Sequence, residues 1–138
     1  MDYRIDLDPT HQVLRVTVTA AVVTHELSEG CHRSVAQIAS RGGPYAAIWD
    51  LSGVRDMIAS SNDVRSRALS PPVIPGDRTR VIVAEKPVIF GLSRMLELFR
   101  DSMGGQLKVV HSLEEAYDIV GVRPEDFTER LFPKEMAA

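Results

Sequence analysis

Apolar and polar residues alternate from the start of the chain: Tyr3, Ile5 and Leu7 are interleaved with Arg4, Asp6 and Asp8. Period two is the signature of a half-buried strand. "DPTHQ" then supplies turn residues, and Val13, Leu14, Val16 and Val18 follow, β-branched in the main, so the segment predicts a hairpin. From Thr24 the period changes. Leu27, Cys31, Val35 and Ile38 fall at helical spacing, and Arg41-Gly42-Gly43 brings a basic last turn and a glycine stop. Thr24 is placed to cap that helix, and Glu26 sits in its first turn against the positive end of the dipole.

Three short apolar runs come next: "YAAIWDLS", "RVIVA" at 80–84 and "LKVVH" at 107–111. Unbroken runs of this kind suit strands covered on both faces. Between the second and third, Pro87 fits a helix first turn. Ile89, Leu92, Leu96, Phe99 and Met103 mark one face, and Gly104-Gly105 ends the pattern. "SLEEAYDIVG" predicts a compact helix with a capping-box pair, Ser112 and Glu115, an inward face of Leu113, Ala116, Tyr117 and Val120, and a stop at Gly121. "PEDFTERLF" predicts a short terminal helix, with Phe127 and Leu131 one turn apart. A further helix is expected near 61–69, after which "SPPVIPGDR" is too rich in proline to be anything but loop. The predicted order is β-β-α-β-(α)-β-α-β-α. It describes a single α/β domain over 1–138, with its core at about 3–121 and a short helix and tail at 122–138. The sheet is mixed, an antiparallel N-terminal hairpin joined to parallel strands, with flanking helices.

The ordered elements resemble the STAS domains, those of sulfate transporters and anti-sigma factor antagonists. The likeness rests on the apolar strand ending in "DLSGV" with a serine pair a few residues on, and on "RVIVA…FGLSRMLELF…LKVVHSLEEAYDIVG". The second half is similar to a stand-alone bacterial branch related to CRAL-TRIO lipid-binding domains. In signalling members a serine within Asp-Ser-Ser-Gly-Leu is phosphorylated by a partner kinase. That resemblance implies a phosphoacceptor at Ser60, or at Ser61 if one residue is inserted. This chain departs from the motif, with Ala59 in place of the aspartate and Asn62-Asp63 in place of Gly-Leu.

Composition narrows the field. The 138 residues are 44% apolar and 25% charged, as in an ordinary soluble domain, and the net charge of -3 gives no reason to expect nucleic acid or an anionic membrane. One cysteine, Cys31, excludes an internal disulfide and suits a reducing cytoplasm. No apolar run reaches membrane-spanning length, and the acidic start does not resemble a signal peptide, so a cytoplasmic location is expected.

Candidate chemistry concentrates after the third strand. A serine before a helix accepts a backbone N–H, worth about 1 kcal/mol. The same free N–H groups attract phosphate or another anion, so Ser60 and Ser61 are a candidate anion site as well as a cap. Residues 53–80 hold five arginines (Arg55, Arg65, Arg67, Arg78 and Arg80) against three aspartates, a local surplus of +2. Converging guanidinium groups would suit phosphate or carboxylate, with Arg55, Arg65 and Arg78 as binding candidates, whereas a solvated face needs no ligand. Asp50, at a strand end, either orients a ligand or caps the following turn. The histidines show no metal-ligand spacing, and no nucleophile elbow, Walker sequence or dinucleotide fingerprint is present, so no catalytic residue, metal or cofactor is expected. Loop 52–78 is long and carries Val54, Met57, Ile58, Leu69, Val73 and Ile74. These residues are expected to cover the sheet, to roof an apolar pocket, or to form a dimer surface. The expectation is a non-enzymatic regulatory or binding module that engages a protein partner or a small apolar or anionic ligand. A carrier of a lipid-like ligand under loop 52–78 is the alternative.

Overall fold

The computed structural model describes residues 2–58, 60–69, 78–101 and 106–133, without the side chains of 61, 64, 68, 69 and 99–101. β1 (Tyr3–Asp8) and β2 (Val13–Val18) form the expected hairpin, in register from Tyr3 opposite Val18 to Asp8 opposite Val13. Its turn is held by the Asp8 carboxylate, which accepts the N–H groups of Thr10 and His11 at 2.9 and 3.1 Å. Gln12 closes the turn in the left-handed region, φ 57°.

After β3 (Val22–Val23), α1 (His25–Gly42) starts at Thr24, whose hydroxyl accepts the Leu27 N–H. The chain continues through β4 (Ala46–Asp50), β5 (Asp56–Met57), α2 (Ser61–Leu69), β6 (Arg80–Val83), α3 (Pro87–Asp101) and β7 (Leu107–Val110). It then forms α4 (Leu113–Val120), a 3-10 turn at Pro124–Asp126 and β8 (Glu129–Phe132). The Ser112 cap and the left-handed Gly121 stop bound α4 as predicted. Met103 and the Gly104-Gly105 stop lie outside the described residues.

Six strands form one sheet in the order β7-β6-β4-β2-β1-β8. β2, β4, β6 and β7 are parallel, and β1 is antiparallel to both β2 and β8. Period-two alternation then sorts the core. Leu14, Val16 and Ala47 pack with Cys31 and Val35 of α1, and further along the same face Ile82 and Leu107 pack with Ile89 of α3. α2 lies against α3. On the other face Val13, Ala46, Ile48, Val81, Val83 and Val110 pack with Ala116 and Tyr117 of α4. Burial pushes the Cys31 thiol up to about 12 and leaves it a small apolar filler.

The terminal helix expected at "PEDFTERLF" does not form. Pro124 opens the 3-10 turn, and the chain then extends so that Phe132 pairs with Ile5 and Glu129 with Leu7. An open strand edge nearby outweighs a weak local helical pattern, because β1 would otherwise expose its outer row of backbone groups. The sheet therefore reaches beyond residue 121. At the opposite edge the buried Glu97 carboxylate accepts the Val109 N–H at 2.6 Å, so that β7 edge group is satisfied too.

Candidate functional site

β4 ends on Asp50, whose buried carboxylate accepts the Ser52 N–H at 3.0 Å. Through Oδ1 it caps the turn, as expected. Val54 closes that turn by donating to the Leu51 carbonyl, and its side chain is completely buried. The backbone is next clamped onto the segment after β2: Arg55 and Asp56 donate to Ala21, and Ile58 donates to Val23. The result is the two-stranded parallel ladder β3–β5, which lies apart from the main sheet. Two-residue strands leave no period in the sequence, which is why hydropathy did not foresee it.

Ser60 caps α2 through reciprocal hydrogen bonds. Its hydroxyl accepts the Asp63 N–H at 3.2 Å, and its own N–H donates to the Asp63 carboxylate at 2.8 Å. These Ser60 hydrogen bonds, the backbone N–H first, hold the Asp63 carboxyl below the usual carboxylate range. The helix N-terminus thus already has a carboxylate in place, where a bound anion would otherwise sit. Ser61 is the first residue of α2, and its side chain lies outside the described residues.

The arginines do not converge. Arg55 and Arg65 are exposed, Arg78 is half-buried, and none of the three has an ion-pair partner among the described residues. Arg67 reaches back to Glu29 of α1 at 2.7 Å. Arg80 is buried at the start of β6, where desolvation lowers its pKa and neither Nε nor Nη2 has a hydrogen-bond partner among the described residues. Of the apolar residues in loop 52–78, Val54 is core and Met57 packs against it, while Ile58 is 64% exposed. Val73 and Ile74 lie outside the described residues, as does the Leu69 side chain.

Ile58 does not stand alone. Val22, on the facing strand of the ladder, is 44% exposed, and α3, whose first turn carries Val88 at 59%, lies against β5. Val22 in β3, Ile58 just after β5 and Val88 in the first turn of α3 are thus all exposed. Asp56 guards part of this surface: its carboxylate accepts the N–H of Met57 at 2.8 Å. A carboxylate on a strand's own outward N–H blunts that edge against indiscriminate pairing.

Topology adds little to the choice of site. The crossovers β2–α1–β4 and β6–α3–β7 advance in one direction along the sheet and pack on one face. The strand order over β2, β4, β6 and β7 therefore never reverses, and no switch-point crevice is created there. Ser28 and His32, one helical turn apart, come within 3.5 Å, but the His32 Nδ1 sits closer to the Ser28 carbonyl, at 2.7 Å, and its ring stacks on Trp49. That is a helix-surface contact, long for the activation of a nucleophile. No helix among the described residues is long and apolar enough to cross a membrane. No protein-family model matches the chain, and no curated protein matches it.

Proposed function

We propose that the chain is a non-enzymatic binding module of STAS-like type, which engages a protein partner through the surface after β4. The observation that carries this reading is the exposure of Val22 and Ile58 on the two segments that the β3–β5 ladder joins, where Ile58 donates its N–H to Val23. Large apolar side chains exposed on neighbouring strands mark a recognition surface more often than a catalytic one. The antiparallel hairpin followed by parallel strands agrees with a STAS-like identity. So does the helix that begins shortly after "DLSGV". A bacterial, cytoplasmic setting accompanies this reading, in keeping with a buried, unpaired Cys31.

Within this reading Ser60 is a structural cap and not a phosphorylated switch. A phosphate on its hydroxyl would place about two negative charges beside the Asp63 carboxylate that completes the box. Native mass spectrometry of protein from its native host provides the test. The expected result is a complex with a second polypeptide that Ile58→Asp and Val22→Asp dissolve, with circular dichroism unchanged. Recovery of a lone chain carrying an extractable apolar ligand would instead support a carrier. Added phosphate mass at Ser60 or Ser61 would reinstate the switch, and a doubled mass would make the partner a second copy.

A further inference from the structure

The turn between β1 and β2 and the 3-10 turn at Pro124–Asp126 bring together three side chains that lie far apart in sequence. One ligand atom each from Asp8, His11 and Asp126 lies within 4.8 Å of the other two. Asp8 has no solvent exposure at all, His11 is exposed, and Asp126 is half-buried. Asp8 spends Oδ1 on the N–H groups of Thr10 and His11, which leaves Oδ2 to face the imidazole Nδ1 at 2.6 Å. Asp126 uses Oδ2 to accept the Arg123 N–H.

The charges around this group are otherwise engaged. Arg4, Arg15 and Arg130 all bond to Asp6, with Arg15 also donating to the Tyr117 hydroxyl and stacking over Phe127. Arg123 pairs with Glu125. Two carboxylates, one fully withdrawn from water, therefore converge with His11 as the sole basic side chain of the group.

We propose that Asp8, His11 and Asp126 form a binding site for a divalent transition-metal cation of the zinc or manganese type. Two carboxylate oxygens and one imidazole nitrogen are a donor set for such ions, not for thiophilic copper(I), which seeks sulfur. The cation takes the place of the hydrogen between Asp8 and His11; in the neutral imidazole that hydrogen moves from Nδ1 to Nε2. Metal–ligand bonds of about 2.0–2.2 Å require Oδ2 and Nδ1 to separate by less than about 1 Å. His11, exposed on a turn, is free to move that far. Water completes the coordination on the open side. The ion would clip the hairpin turn to the segment that leads into β8, closing a long loop of chain.

Titration calorimetry on the chelator-treated chain, with zinc chloride and manganese chloride in separate runs, tests the site. One ion per chain is expected, with a raised melting temperature. Asp126→Asn should weaken binding at least tenfold while leaving the metal-free melting temperature close to that of the parent chain; His11→Gln should weaken binding as much, with a lower metal-free melting temperature because it takes the imidazole from the buried Asp8 carboxylate. Asp8→Asn disturbs a buried turn, so Asp126→Asn carries the test. Absence of both heat and melting shift at millimolar metal would overturn the proposal. So would binding unchanged in the two variants, which would assign the ion to other residues.

Discussion

Removing the Phe132 ring is the most direct probe of the C-terminal strand. Phe132 stacks on Tyr3 with centroids 4.6 Å apart and planes 9° from parallel, and it packs against the cluster of Ile5, Leu14 and Val35. Phe→Ala in a full core costs about 3–5 kcal/mol. Phe132 is only half-buried, which brings the transfer and cavity contributions down to about 1–2 kcal/mol. The stacked pair adds about 0.5–1.5 kcal/mol, so a loss of about 2 kcal/mol is expected for Phe132→Ala. Urea unfolding with a slope of about 2 kcal/mol/M would then show the midpoint falling by about 1 M at constant slope. A double-mutant cycle with Tyr3→Ala isolates the ring pair from the bonds Tyr3 makes to Ser34 and Gly30, and should return a coupling of about 0.5–1.5 kcal/mol. In parallel, hydrogen exchange should accelerate at the β1 amides that face β8. A loss below about 0.5 kcal/mol with no measurable coupling would refute the strand and restore the helical reading, in which Phe127 and Leu131 face inward together.

Two further outcomes follow from charged groups. Asp63 titrates below its unfolded value near 3.9 because Ser60 hydrogen bonds favour its charged form. The stabilisation is thus present above that value and is lost as pH falls through the lower folded one. Carboxyl-detected NMR should place its midpoint below that unfolded value, and Ser60→Ala should move it upward; an unmoved midpoint would deny the capping box. Arg80 carries its charge in a buried place, with no hydrogen-bond partner for Nε or Nη2 among the described residues. Arg80→Met should therefore stabilise the chain by about 1 kcal/mol or more at neutral pH, and a destabilised variant in urea unfolding would show that the guanidinium is satisfied.

Periodicity and punctuation carried most of the fold. The hairpin was legible because Tyr3, Ile5 and Leu7 alternate with charges, and α1 and α4 because Thr24 and Ser112 stand one residue before helical stripes. α2 was the weakest helical pattern, yet the Ser60 cap placed its start. What escaped was decided by tertiary pairing. β8 exists because β1 offers an edge, and the Phe127–Leu131 spacing that suggested a helix says nothing about that edge. β3 and β5 are too short to show a period, and their ladder depends on backbone bonds from Arg55, Asp56 and Ile58 to a distant segment. The same limit applies to sites. Asp50 and Ser60 were legible because their partners lie two and three residues away. Asp126 was not, because only the path of the chain across the second face of the sheet carries it to Asp8 and His11.

That path also sets an order in time. Arg130 meets Asp6 across 124 positions of sequence. At about 5–20 residues per second, β1 leaves the ribosome about 6 to 25 seconds before β8 can reach it. Throughout that interval the outer edge of β1 is a row of unsatisfied backbone groups open to any other extended chain. The charges at Arg4, Asp6 and Asp8, of which Asp6 later ties β1 to Arg15 of β2 and Arg130 of β8, then act as guards, since a strand charged at alternate positions is a poor template for stray pairing. Asp6, which fastens the finished edge through Arg130, is also one of the charges that keep it solitary while it waits.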